Sequence, residues 1–259
     1  MVFRRPSRWA VVLPVALALA VVSGCGSGEQ ASAGDGGKEV TVFAAASLTE
    51  TFTELGKAFE ATHPGTAVRF NFGSSATLAQ QIVQGAPADV FAAASPATMK
   101  TVTDASLAGP PVTFVRNKLQ IALPADNPAK VDELKDLTDP NVKVALCAEQ
   151  VPCGAAAVKA LDAAGLKVTP VTLEQDVKAT LTKVELGEVD AALVYRTDVI
   201  ASGGKVRGIA FPEAGQAVND YPIATLAKAP GGDLAKQFVD LVLSQQGEDV
   251  LTKAGFEAP

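Results

Sequence analysis

The residues of this chain best placed to do chemistry stand where apolar runs give way to amphipathic ones. Ser47 closes the run "TVFAAAS", and Leu48, Phe52, Leu55 and Phe59 follow it at helical spacing. Ser74 and Ser75 hold the same place between "AVRFNFG" and a helix through Leu78 and Ile82, while Pro152-Cys153-Gly154 and Asp176-Val177 open two further helices. Serine and aspartate are ordinary N-caps, and each junction taken singly reads that way. Taken together they point to other chemistry. A helix N-terminus carries unpaired N–H donors and a partial positive charge. In open α/β folds such termini gather outside the carboxyl ends of the strands, where ligands sit. Several converging on one cleft would hold an anion without any lysine or arginine. The competing chemistry is a hydrolase with Ser47 as nucleophile. That requires a base, and the single histidine, His63, lies beyond the far end of the helix that follows Ser47.

These junctions need a scaffold of alternating strands and helices, and the sequence supplies one. From Glu39 onward, short apolar runs ("EVTVFAA", "AVRFNFG", "ADVFAAAS", "NVKVALC", "DAALVY") alternate with helical patterns, the signature of α/β architecture. "VTFVRNKLQIALP" contains two apolar runs split by Arg116-Asn117-Lys118, which reads as a crossing between lobes framed by solvated charges. Tyr195 ends its strand, as packing or as a donor. Asp89 reads as a cap or brace, since no partner acid is indicated, and His63 as a helix-end residue.

The first 25 residues are expected to lie outside the fold. Arg4, Arg5 and Arg8 precede the apolar "WAVVLPVALALAVVSG", the layout of an export signal, and Val22-Ser23-Gly24-Cys25 looks like a lipobox whose Cys25 is acylated. Residues 26–38, "GSGEQASAGDGGK", read as a flexible tether between a lipid anchor and a soluble body. In an exported chain, Cys147 and Cys153 of "LCAEQVPCG" are expected to pair. A metal site is the alternative, but no histidine or third cysteine is available to complete it. The net charge of -6 and pI near 4.9 argue against nucleic acid or an anionic membrane surface as the main partner, and 5% aromatic content leaves little for base stacking.

The segments "TVFAAASLT", "FGSSATLAQQI", "GAPADVF", "VPCG" and "VYRTDV" together resemble the periplasmic molybdate-binding proteins of bacterial ABC transporters, in the same order from about Val40 to Phe256. The resemblance implies two α/β lobes joined by a hinge, of the periplasmic-binding-protein type II kind, with lobe I at 39–117 plus 225–259 and lobe II at 118–224. It implies a non-enzymatic, extracytoplasmic, membrane-anchored monomer that hands molybdate or tungstate to a permease and uses no cofactor. The tetrahedral oxyanion would be held by Ser47, Ser75 and Tyr195 through hydroxyls, and by Cys153 and Val177 through backbone amides, with no direct ligand to the metal. Two features stay open. Ser74 and Ser75 are adjacent, and the family commonly has alanine where this chain has Cys153; a backbone N–H does not depend on that change. Sulfate or phosphate is the alternative ligand.

Overall fold

The computed structural model describes residues 38–259. The export signal, Cys25 and the tether as far as 37 lie outside them. Lys38, expected as the last tether residue, is already the first of β1 (Lys38–Ala45).

The chain continues through α1 (Thr49–Thr62), β2 (Thr66–Gly73), α2 (Ser75–Val83), β3 (Val90–Ala92), α3 (Pro96–Asp104) and β4 (Val112–Asn117). Then come β5 (Leu119–Pro124), β6 (Val144–Cys147), α4 (Pro152–Ala164), β7 (Thr172–Glu174), α5 (Val177–Glu185), β8 (Ala191–Tyr195), α6 (Arg196–Ala201) and β9 (Val206–Ile209). Strand β10 (Asn219–Thr225), α7 (Asp233–Leu243) and α8 (Gln245–Lys253) complete it. The strands form two five-stranded mixed sheets, ordered β2-β1-β3-β10-β4 and β7-β6-β8-β5-β9.

The first sheet is buried on both faces, which is why β1 reads as a nearly unbroken apolar run. Val40 and Val42 face a core with Leu48, Phe52, Leu55 and Phe59 of the α1 side, whereas Phe43 faces the other way, onto Leu78 and Ile82 of α2 and Met99 and Val102 of α3. Phe52 sits centrally among aromatics, with ring centroids 6.0 Å from both Phe114 and Phe238 and 6.4 Å from Phe70. The second sheet has its own core, where Ala191 to Val194 of β8 pack with Ala157, Ala160 and Leu161 of α4 and Leu181 of α5. Small residues there let the helices lie close to the strands.

The chain passes from the first sheet to the second at Lys118, between β4 and β5. It returns at β10, whose Asn219 pairs with Asn117. The return therefore falls at 219, ahead of the expected 225, because "NDYPIAT" completes the first sheet as a central antiparallel strand. The two connections run side by side. Their charges are solvated, as expected, and also paired: Arg116 Nε lies 2.8 Å from Asp220 Oδ1, and Lys118 Nζ 2.9 Å from Glu257 Oε2.

His63 caps the end of α1 beside Phe59 and faces Gln237. Asp89 is a brace, accepting Thr41 N at 2.7 Å and Gly231 N at 2.6 Å.

Phe52 is fully buried, so Phe52→Ala should remove about 3–5 kcal/mol of unfolding free energy. Urea denaturation checks this; a loss below about 1 kcal/mol would mean the aromatic cluster is not the centre of that core.

Candidate functional site

At the carboxyl ends of β1, β2, β6, β7 and β8, the N-termini of α1, α2, α4 and α5 meet around a cavity of about 20 Å³. One water needs roughly 10–15 Å³ by this measure, so there is room for a small ion rather than an organic solute. Ser47, Ser75, Cys153, Val177 and Tyr195 all line it, and none is more than 5% exposed. The structure thus brings the five expected positions from two sheets into one enclosure. No lysine, arginine or histidine is in its lining. The one carboxylate there, Asp176, turns its Oδ1 back to accept Ala179 N at 2.9 Å.

Whether the serines cap their helices can now be read from their hydrogen bonds. The sequence suggested a helix beginning directly after Ser47. Instead a 3-10 turn, Ala46–Leu48, intervenes and α1 starts at Thr49, with no side-chain cap bond. The Ser47 hydroxyl is paired with the Tyr221 hydroxyl at 2.9 Å. Ser74 occupies the N-cap position of α2 yet makes no cap bond, and its buried Oγ has no protein partner. Ser75 Oγ accepts from Ala94 N at 2.9 Å, which leaves its own proton free for another acceptor. Asp176 is a true cap; the serines are not. Ser74 and Ser75 both line the cavity.

Cys153 is bonded to Cys147, with Cα atoms 5.8 Å apart. The bond ties the end of β6 to the start of α4, and it leaves Cys153 its backbone amide to present at the helix N-terminus. Pro152 at the first helical turn has no N–H to orphan. A Cβ at Gly154 would run into the carbonyl of Ala148, so this turn requires glycine.

Tyr195 is buried, and its hydroxyl has no partner among the protein's groups. Burial pushes its phenol, like that of Tyr221, well above the ordinary value, so both stay protonated donors. The two rings meet edge to face at 6.0 Å. Tyr221 was not legible as a site residue, because "YPIAT" reads simply as a strand. Asn117 Nδ2 donates to Thr197 Oγ1 at 2.8 Å and approaches Tyr221 Oη at 3.5 Å, linking the crossing to this cluster.

Beneath Tyr195 lies Asp198, fully buried, whose Oδ2 accepts Tyr195 N at 3.2 Å. Burial pushes its carboxyl up to about 6, although Lys178, 3.4 Å away, pulls the other way. Burial by itself would lower the Lys178 ammonium, but Asp198 and Glu50 outweigh it and hold it above its ordinary value.

A cleft between two mixed α/β sheets, lined by neutral donors at helix starts, is the arrangement of a solute-binding protein. The chain belongs to the bacterial extracellular solute-binding protein family, whose model matches residues 40–257. It is 43% identical over 249 residues to the molybdate-binding protein ModA of Mycobacterium tuberculosis, spanning 94% of this chain and 95% of that one. Among solved structures, the periplasmic molybdate-binding protein of Azotobacter vinelandii superposes with a TM-score of 0.74 at 22% identity, covering 85% of this chain and 99% of that one. The sulfate-binding protein SubI of Mycobacterium tuberculosis superposes nearly as well, at 0.73 and 18% identity, covering 85% and 87%. The fold is therefore shared by receptors for different oxyanions. These relatives are binding proteins, in keeping with the expectation that the chain is not an enzyme.

A carboxyl whose folded pKa stands above its ordinary 3.8 costs stability above pH 6, and that cost is relieved as pH falls through 6. Between about pH 7 and pH 4.5 the parent should gain about 2 kcal/mol relative to Asp198→Asn, which lacks the titration. Paired denaturation curves read the difference, and a pH-independent gap would show that Asp198 does not titrate in this range.

Proposed function

We propose that this protein captures molybdate, and tungstate with it, outside the cytoplasm and hands it to the permease of an ABC transporter. Cys25 would carry the lipid that holds it at the membrane, and the two sheets with their helices would act as lobes that close by bending at the paired connections near Asn117 and Asn219. The protein works as a monomer and uses no cofactor. In this reading Ser47, Ser75 and Tyr195 donate through hydroxyls, and Cys153 and Val177 through backbone N–H groups, to the oxygens of one tetrahedral dianion.

The observation that carries this reading is the buried Tyr195 hydroxyl without a partner, in a cavity that holds serine hydroxyls not spent on capping and no cation. A buried donor left unpaired costs about 1–3 kcal/mol. An anion accepting from it removes that cost and gains charge-assisted bonds. The choice of molybdate is supported by the 43% identity to a molybdate-binding protein. Donors do not discriminate among dianions by charge, so cavity size must separate molybdate from sulfate. A protonated phosphate would bring a hydroxyl where donors already point, leaving an unmatched pair. For Ser47 to donate to the ligand, Tyr221 must donate to Ser47, so both hydroxyls carry protons in a fixed direction.

Thermal melting with molybdate, tungstate, sulfate and phosphate separates the candidates. At a hundredfold above Kd a ligand adds about 2.7 kcal/mol, or roughly 5–10 °C for a chain of this size. Molybdate and tungstate should shift the transition. A shift with sulfate or phosphate alone overturns the ligand assignment, and no shift with any of them overturns the receptor reading. Tyr195→Phe, which deletes one donor, should weaken molybdate binding about 10- to 100-fold by calorimetry; parental affinity would move the site elsewhere.

A further inference from the structure

Glu50 lies in the first turn of α1, shortly after Ser47, and Lys178 follows Val177 at the start of α5. The two helices belong to opposite halves of the molecule; α5 presents Val177 to the cavity, and the 3-10 turn leading into α1 presents Ser47. Lys178 Nζ donates to both carboxylate oxygens of Glu50, at 2.8 and 3.0 Å. On its other side the same Nζ is 3.4 Å from Asp198 Oδ1, a buried oxygen with no hydrogen bond of its own. Asp198 and Lys178 sit on the same half, so their contact persists when the halves part. Glu50 is the partner that leaves.

We infer that Glu50 and Lys178 form a clasp across the cleft that slows release of the bound oxyanion, beyond what the donors in the cavity do. The inference rests on the binding-protein reading and on lobe closure. An exposed ion pair contributes little, because two long side chains must be frozen and water screens them. This pair differs on the lysine side. The Lys178 side chain is only 26% exposed, and Asp198 already holds it in place, so closing the contact orders little beyond Glu50. The pair also removes a repulsion. A bare Glu50 carboxylate would stand in the first turn of the helix beside Ser47, opposing a dianion there. Paired with Lys178, that charge is cancelled while the cleft is shut and restored when it opens, which favours departure of the ligand. Nothing in the sequence marked these residues, since "SLTET" and "DVKAT" read as a helix start with ordinary surface charges.

The test is a chase of bound radiolabelled molybdate by excess unlabelled molybdate, after the melting panel has shown that the parent binds it. If the panel reads sulfate instead, labelled sulfate takes its place. Glu50→Gln should raise koff roughly 3–10-fold with kon changed less than twofold, and Glu50→Lys should raise it further. Glu50 is half exposed, so melting of the ligand-free variants should match the parent. The parental koff should rise with salt, and that of Glu50→Gln should not. In the Lys178→Met/Asp198→Asn background, which removes the clasp without stranding a buried charge, Glu50→Gln should have no further effect. A koff for Glu50→Lys within twofold of the parent, or a full effect of Glu50→Gln in that background, overturns the clasp. Absence of oxyanion binding by the parent overturns the functional reading instead, and the clasp with it.

Discussion

Donors that are left over from helix formation, and not used by the helices themselves, are what the rest of this structure serves. A helix start has orphan N–H groups that a serine or aspartate normally satisfies. Here Asp176 does so for α5, but the hydroxyls of Ser47 and Ser74 do not cap α1 and α2. Holding such groups away from water is costly, and two sheets, one packed by aromatics and one by small residues, keep them there. The disulfide between Cys147 and Cys153, the glycine at 154 and the proline at 152 all act at one turn, where they fix the start of α4.

Charge follows the same logic. The cavity has no cation in its lining, while Lys178 stands just outside it, held between Glu50 and Asp198. In the proposed function, neutral donors inside impose geometry and would leave the ligand free to depart when the halves separate. The ionic groups outside would then govern how the halves meet. This division explains how a chain of net charge -6 can serve an anion: the overall field is screened over about 8–10 Å, whereas the local donors act within hydrogen-bond distance.

Much of this was legible in the sequence. The alternation of apolar runs and helical patterns gave the order of strands and helices, because each buried strand of a parallel sheet needs a continuous apolar run. Ser47, Ser75, Cys153, Val177 and Tyr195 were picked out at junctions and by their motifs, and they line one cavity. What could not be read was set by contacts distant in sequence. Tyr221 lies 174 residues from Ser47, and Lys178 lies 128 residues from Glu50. No spacing rule relates them. The return to the first sheet falls at 219, not at the 225 that the resemblance implied, because β10 joins that sheet through pairing with β3 and β4, which are distant in sequence. Whether a serine caps its helix is also invisible in a sequence, since cap and non-cap serines occupy the same position.

In the proposed function, one oxyanion is held at this cavity by neutral donors from both halves. A crystal of the protein grown with molybdate, measured at an energy where molybdenum scatters anomalously, tests it directly. One strong anomalous peak is expected, with oxygens within hydrogen-bond distance of the hydroxyls of Ser47, Ser75 and Tyr195 and of the amides of Cys153 and Val177. A peak elsewhere, or an ion held by a lysine or arginine side chain, would contradict it.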